Sequence, residues 1–318
     1  MKMILDLDTG VDDALALAYV LASPEVELIG ITGTYGNVTV ETGVQNDLDL
    51  LKLFGREDVP VYAGITHPSA VEDFELLEGS VIYHGANGTG NVAIPAKSQR
   101  TVEELGAVDF IIESVRTYGK DLVVVPTGAS TNIAAALEKA PDIVDKIKIV
   151  MMGGALTQPG NMNPFAEANM LQDPEASNAL IHSGADITMV GLDVTLQAYT
   201  TKAYLESLAA TGTPAGEFYA DMSLFYISVE EDCDPDSTIP DICVLHDPLA
   251  AAVAMDETLV QTIEVPMQVE LDGPQRGRTI GDPIGLFGNG PKVKVAVAVD
   301  AERFVKSFEE RLLSIVTQ

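Results

Sequence analysis

The chain has 318 residues, enough for one large α/β domain or two small ones, either able to bury a full core. A hydrophobic content of 47% excludes a disordered chain in spite of a net charge of −30. That charge argues against nucleic acid or an anionic membrane as the main partner, and with 18 Lys and Arg spread thinly it favours a neutral small-molecule ligand over a multiply charged anion. No apolar stretch approaches the ~20 residues of a membrane span. The N-terminus runs straight into acids and lacks the basic and apolar regions of a signal peptide. Cys233 and Cys243 show no metal-site spacing, and reduced thiols in a cytoplasmic protein are the expectation.

In chain order, Met3-Ile4-Leu5 and Leu7 read as a short strand of a parallel sheet. Thr9-Gly10 forms a turn, and Ala14 to Ala18 has the composition of a helix interior. Four carboxylates, Asp6, Asp8, Asp12 and Asp13, therefore crowd one strand-to-helix junction. Asp12 and Asp13 have an ordinary reading, as acids that complement the positive end of a helix. Asp6 and Asp8 do not, because they end a strand. Like charges this close need a cation or a held proton, and hard oxygen ligands without cysteine point to Ca²⁺ or Mg²⁺.

A second strand is expected over 26–32, a helix over 39–54 and a short strand over 60–63. Residues 64–100 lack periodicity and carry His67, His84 and the glycine-rich HGANGTGN at 84–91, the signature of a functional or mobile loop. Helix is expected over 102–118, 132–139, 173–183, 247–255 and 301–316, with strands over 122–126, 147–152, 187–190, 260–271 and 293–299. The stretch 201–232 reads as helical but irregular. Strand-helix alternation throughout, with no linker or repeat, predicts one domain over 1–318. Its fold class is α/β, a mostly parallel, Rossmann-like open sheet flanked by helices. Ligands of such sheets bind beyond the strand C-termini, where DLDTGVDD, TYGN, PTGASTN and MGGALTQPGN all fall. Each of these alone is adequately explained as turn chemistry; their shared location is the stronger signal.

With DLDTGVDDA, the GN pair at 36–37, PTGASTN, MGGA, EANMLQDPEA at 167–176 and HDP at 246–248, the chain resembles the nucleoside hydrolases of the inosine-uridine-preferring type. The resemblance runs over essentially the whole chain. The usual first motif of that family is DxDPGxDDA, and Thr9 here replaces its proline. The resemblance implies a Ca²⁺ ion held by the side chains of Asp8, Asp13 and Asp247 and the carbonyl of Thr127, a set that leaves room for water and sugar hydroxyls. Asp247 has a second reading as the N-cap of a helix with Pro248 at its first position. The implied mechanism resembles inverting glycoside hydrolysis at a C–N bond. Asp8 is then the general base on a Ca²⁺-bound water, with Asn37 orienting that water or the acids. Asp12, Asn161, Glu167 and Asn169 would grip the ribose, and Met152 would wall the pocket beside it. His246 matches the family position for leaving-group acid, and His84 a flexible-loop histidine that closes over the base; a buried structural role competes with both.

Base recognition is where the chain departs from the family pattern. Phe225, Tyr226 and Tyr219 are candidates for aromatic contacts to the base, or simply for core packing of an amphipathic helix. Where the family has a basic residue, this chain reads Glu230-Glu231-Asp232. It has no tryptophan, which disfavours the branch that sandwiches purines and leaves a broad or pyrimidine-leaning range. Nucleoside salvage, a ribonucleoside partner and a homodimer or homotetramer follow from the resemblance. A riboside-binding protein without turnover is the alternative. An aspartate-nucleophile phosphatase is the third reading, opposed by the lack of a basic loop.

Overall fold

A computed structural model describes residues 1–233, 239–286, 288 and 290–318. In its first half, β1 (Lys2–Leu7), α1 (Val11–Leu21), β2 (Glu27–Gly33), α2 (Val40–Leu53) and β3 (Val61–Ala63) are followed by α3 (Glu78–His84) and α4 (Ala107–Tyr118). Next come β4 (Leu122–Pro126), α5 (Thr131–Lys139), β5 (Lys148–Met152), α6 (Ala168–Gln172), α7 (Pro174–His182) and β6 (Asp186–Val190). Then α8 (Leu192–Thr195), β7 (Tyr199–Thr201), α9 (Lys202–Ala209), α10 (Pro214–Cys233), β8 (Ile242–Val244) and α11 (His246–Met255) follow. The chain closes with β9 (Val260–Val269), β10 (Thr279–Gly281), β11 (Lys292–Val299) and α12 (Ala301–Val316).

One sheet of nine strands carries the molecule, in the order β10-β9-β11-β6-β5-β4-β1-β2-β3. From β11 to β3 every pairing is parallel, and β9 and β10 add antiparallel strands at one edge. Alternation along β1 shows why the strand is apolar on both sides. Met3, Leu5 and Leu7 enter one buried cluster with α1, α11 and α12, whereas Ile4 enters the other with α4, α5 and α7. The chain leaves β1 towards β2 on one side and returns at β4 on the other, so the crevice between β1 and β4 is a topological switch point. Thr127 continues the ladder there, its N–H donating to the carbonyl of Asp6 at 2.9 Å.

The architecture matches the sequence reading, with local differences that have physical causes. The segment 64–100 is not wholly irregular, since it contains α3, a helix too short to show a period. The helix expected from 102 starts at Ala107, after Gly106. The irregular stretch 201–232 is two helices out of phase, α9 and α10, separated by Thr211-Gly212-Thr213, whose hydroxyls bond the turn. Pairing of β7 with β8 in a separate small sheet, and β10 itself, have strands of three residues and leave no legible alternation. No helix among the described residues is long and apolar enough to cross a membrane. Cys233 and Cys243 are both free thiols.

Candidate active site

The acids at the start of α1 take two roles at once. Gly10 is the N-cap, and its N–H donates to Asp13 Oδ2 at 2.8 Å, so Asp13 closes the helix start as the dipole argument expects. Its other oxygen accepts from Thr127 Oγ1 at 2.6 Å. Asp8 lies just past β1 and is held by Asn37, whose backbone N–H reaches Oδ2 at 2.8 Å and whose side-chain amide reaches Oδ1 at 3.3 Å. The same amide bridges to Asp13 at 3.2 Å. Gly36, at φ +158°, lets the backbone come this near, because a Cβ there would lie 2.0 Å from Asp8 Oδ2.

Asp247 reaches the same spot from α11. It is not the N-cap: the cap is Leu245, the helix begins at His246, and Asp247 sits within the first turn. Neither of its buried oxygens has a hydrogen-bond partner among the described residues, and Oδ1 of Asp12 has none either. Asp12, Asp13 and Asp247 each offer an oxygen within 4.8 Å of the others. Asp8 borders this group, while Asp6 is turned away from it, accepting from Thr32 Oγ1 at 2.5 Å and Asn132 Nδ2 at 2.9 Å. Burial first, and the neighbouring acids second, push Asp8 and Asp247 well above the usual carboxylate range and Asp13 up to about 6. Buried oxygens this crowded, with both of Asp247 and Oδ1 of Asp12 unpartnered among the described residues, fit a hard divalent cation, which returns the acids to their ionised form. The Thr127 carbonyl accepts from Asn169 Nδ2 at 2.6 Å and keeps a second lone pair for such an ion.

Above the acids opens a cleft of about 460 Å³, with Asp12, Thr127 and Asp247 among its floor residues. Asn37, Met152, Asn161, Glu167 and Asn169 also line it. Glu167 caps α6, taking the N–H groups of Asn169 and Gly154, and Asn169 is oriented by the carbonyl and sulfur of Met152 at 3.2 Å. Asn161 is exposed at the rim, its oxygen accepting from the Ala168 N–H. His84, His246, Tyr226, Tyr83, Leu196, Val244 and Glu230 line the cleft as well, with His84 Nδ1 3.8 Å from Asp12 Oδ1 and His246 next to Asp247 at the start of α11.

His84 ends α3 and is buried rather than placed on an open loop. Its Nδ1 accepts the N–H of Val11 at 3.2 Å, so the neutral ring carries its hydrogen on Nε2. Burial lowers His84 to about 4, which makes its 3.8 Å approach to Asp12 a contact of a neutral ring and not an ion pair. His246 is lowered to about 4 for the same reason, with Nδ1 2.8 Å from Thr195 Oγ1. Both rings offer hydrogen bonds at neutral pH without standing as imidazolium.

Two aromatic expectations change. Phe225 does not line the cleft; its ring packs on the glycine-rich loop, close enough that a Cβ on Gly90 would lie 2.9 Å from it. Tyr219 is wholly buried in the core, its hydroxyl donating to the Ala14 carbonyl. Tyr226 alone of the three faces the cleft, its ring 5.9 Å from that of His84. Tyr83 and Leu196 have no signal in the sequence, and Glu230 stands out there only as a departure from the family pattern. The one available signal for its place in the cleft was its spacing, four residues after Tyr226, which puts both on one helix face. A larger groove of about 650 Å³, bordered by α5 and α7 and including His67, brings no such acid cluster together.

A parallel sheet with its switch point over a buried acid cluster and a polar cleft defines an α/β protein with a ligand site at the strand C-termini. Comparison with known proteins makes this specific. The model of the inosine-uridine preferring nucleoside hydrolase family matches residues 3–306, and the chain belongs to that family, whose members are hydrolases of N-glycosyl compounds. It is 36% identical over 307 residues to the inosine-uridine preferring nucleoside hydrolase of Leishmania major, covering 95% of this chain and 94% of that one. It is 34% identical to the probable uridine nucleosidase 2 of Arabidopsis thaliana, covering 98% and 97%. Among solved structures, the purine-preferring ribonucleoside hydrolase from Gardnerella vaginalis superposes with a TM-score of 0.94 at 54% identity, covering 100% of this chain and 99% of that one.

Proposed function

We propose that the chain hydrolyses the N-glycosidic bond of ribonucleosides to ribose and free base, with Ca²⁺ as its metal, in nucleoside salvage. The observation that carries this is the buried, unpartnered Asp247 carboxylate beside Asp12 and Asp13 at the cleft floor, with Asp8 next to them. Asp8, Asp13, Asp247 and the Thr127 carbonyl would hold the ion, and Asp12 lies near enough to add a ligand or to meet a sugar hydroxyl. Bound there, Ca²⁺ supplies Lewis acidity to a water and a grip on the ribose diol.

The residues do the rest. Asp8, aligned by its two bonds from Asn37, takes a proton from the attacking water. The new C1′–O bond forms as the C1′–N bond breaks, with positive charge spread over the ribose ring. Glu167, Asn169 and Asn161 hold the hydroxyls, and Met152 packs beside the sugar. The bonding pair leaves with the base as an anion, which is stabilised by hydrogen bonds from neutral donors lining the cleft and takes its proton from solvent. His246 and the Nε2–H of His84 are those donors, and Tyr226 supports the ring. Neither a lysine nor an arginine lines the cleft among the described residues, which favours nucleosides over nucleotides and argues against a phosphatase.

The test is reducing-sugar release from inosine, uridine, cytidine, adenosine and guanosine, with Ca²⁺ and with chelator, by wild type and Asp8→Ala. Release that falls at least about a thousandfold in Asp8→Ala supports the reading. No release from any riboside in the presence of Ca²⁺ overturns it in favour of a protein that binds ribosides without turnover.

A further inference from the structure

The acid floor accounts for the sugar, but the cleft lining also holds a charged group with no part in the reaction so far. Glu230 lies one helical turn beyond Tyr226 on α10, and the two share the face that lines the cleft. Burial first, and the charge of Glu230 among the acids after it, raise the hydroxyl of Tyr226 and the thiol of Cys243 above their usual ranges. Tyr83 and Tyr226 stand beside Glu230 with rings 6.0 Å apart and tilted by 54°, an apolar wall for a planar base.

An ionised carboxylate only accepts hydrogen bonds, with about four lone-pair directions. The edge of the base turned to it must therefore carry N–H groups. Guanine presents N1–H and the 2-amino group side by side, a pair that two carboxylate oxygens can accept together. Hypoxanthine presents N1–H alone. Adenine sets a lone pair at N1 beside its amino group, and uracil flanks N3–H with two carbonyl oxygens, so each turns negative charge towards Glu230.

Resting on the nucleoside-hydrolase reading above, we propose that Glu230 is a specificity-determining residue that reads the donor edge of the nucleobase and makes guanosine the favoured substrate. This differs from the broad or pyrimidine-leaning range that the lack of tryptophan suggests. Glu230 reads a group that a tryptophan sandwich would not distinguish.

The test compares kcat/KM for guanosine and inosine, which differ by the one amino group, in wild type, Glu230→Gln and Glu230→Ala. Guanosine is expected to lead by about tenfold or more in wild type, since a half-buried acceptor loses less than a fully enclosed one when its donor is missing. In Glu230→Ala the ratio falls towards unity, because guanosine loses two hydrogen bonds and inosine one, and an unchanged thermal melt reports that the fold is intact. Glu230→Gln, which keeps one acceptor, falls in between. 1-Methylguanosine, with the N1 donor blocked, probes the same contact without touching the protein and loses at least about tenfold against guanosine in wild type. Equal use of guanosine and inosine by wild type, or a ratio unchanged in Glu230→Ala, overturns the proposal. If no riboside is hydrolysed, calorimetric binding of guanosine and inosine to wild type and Glu230→Ala decides it separately, by the same ratio.

Discussion

Thr9 stands in the turn between the strand that ends at Leu7 and the helix that starts at Val11, and its hydroxyl donates to Asp47 Oδ1 at 2.6 Å. Asp47 lies fully buried on α2, its other oxygen without a partner among the described residues. Burial raises it well above the usual carboxylate range. The folded protein thus keeps a proton that the unfolded chain releases near pH 4. The stability this contributes is full below the unfolded pKa and is lost as pH rises through the folded one. Asp47→Asn, which cannot ionise, should therefore gain melting temperature relative to wild type between pH 4.5 and 7.5, by about 2–4 °C for each 1 kcal/mol. Thermal melts at the two pH values check this, and a difference independent of pH counts against a protonated Asp47. Thr9→Val removes the donor, leaves Asp47 without any partner and should cost about 1–3 kcal/mol in a denaturant titration.

At the scale of elements, the adjacent residues Phe225 and Tyr226 divide the work of α10. Phe225 clamps the glycine-rich loop at Gly90, while Tyr226 faces the cleft. Tyr226→Ala should raise KM for ribosides about tenfold with a smaller change in kcat. Phe225→Ala should lower stability by about 1–3 kcal/mol, because a half-buried ring loses only part of its packing. Steady-state kinetics and melts on the two variants separate these effects, and the reverse pattern would mean that the helix is rotated from its place here. The sequence could not make this distinction. Successive helix positions differ by about 100°, and α10 is apolar or buried on most sides through its middle turns, so no clean stripe marks the cleft face. The acids of α1 were legible for the opposite reason: a strand, a turn and a helix interior follow one another within a few residues, and chemistry accumulates where they meet. Asp6 shows the limit of that reading, since proximity in sequence did not reveal that Thr32 and Asn132 hold it. Asp247 came from resemblance alone. A single Asp before Pro248 reads equally well as a cap, and only its position inside the first turn, with Leu245 capping, leaves both oxygens for the shared site.

For the whole molecule, 48 acids against 18 basic residues make self-repulsion a standing cost of the folded state. Part of it is concentrated in the buried cluster, so a divalent ion should act on global stability as well as on catalysis. Millimolar Ca²⁺ should raise the melting temperature of chelator-treated protein, by about 2.7 kcal/mol of stability at a hundredfold excess over Kd. Asp247→Asn should lose most of this response, whereas 1 M NaCl, which screens surface charge, should not replace it. Differential scanning calorimetry measures all three.

The strand order has one more result, for the way the chain comes together. β1 precedes every other strand of the sheet along the chain yet lies inside it between β2 and β4, and its acids meet Asp247 only after α11 exists. An emerging chain therefore holds Asp8 and Asp13 without their distant partner until most of its length has been translated. Closing that long-range contact is a slow step of the kind that limits folding in molecules of high contact order. An ion present during refolding would bind after the last such closure and lock it, slowing unfolding more than it speeds folding.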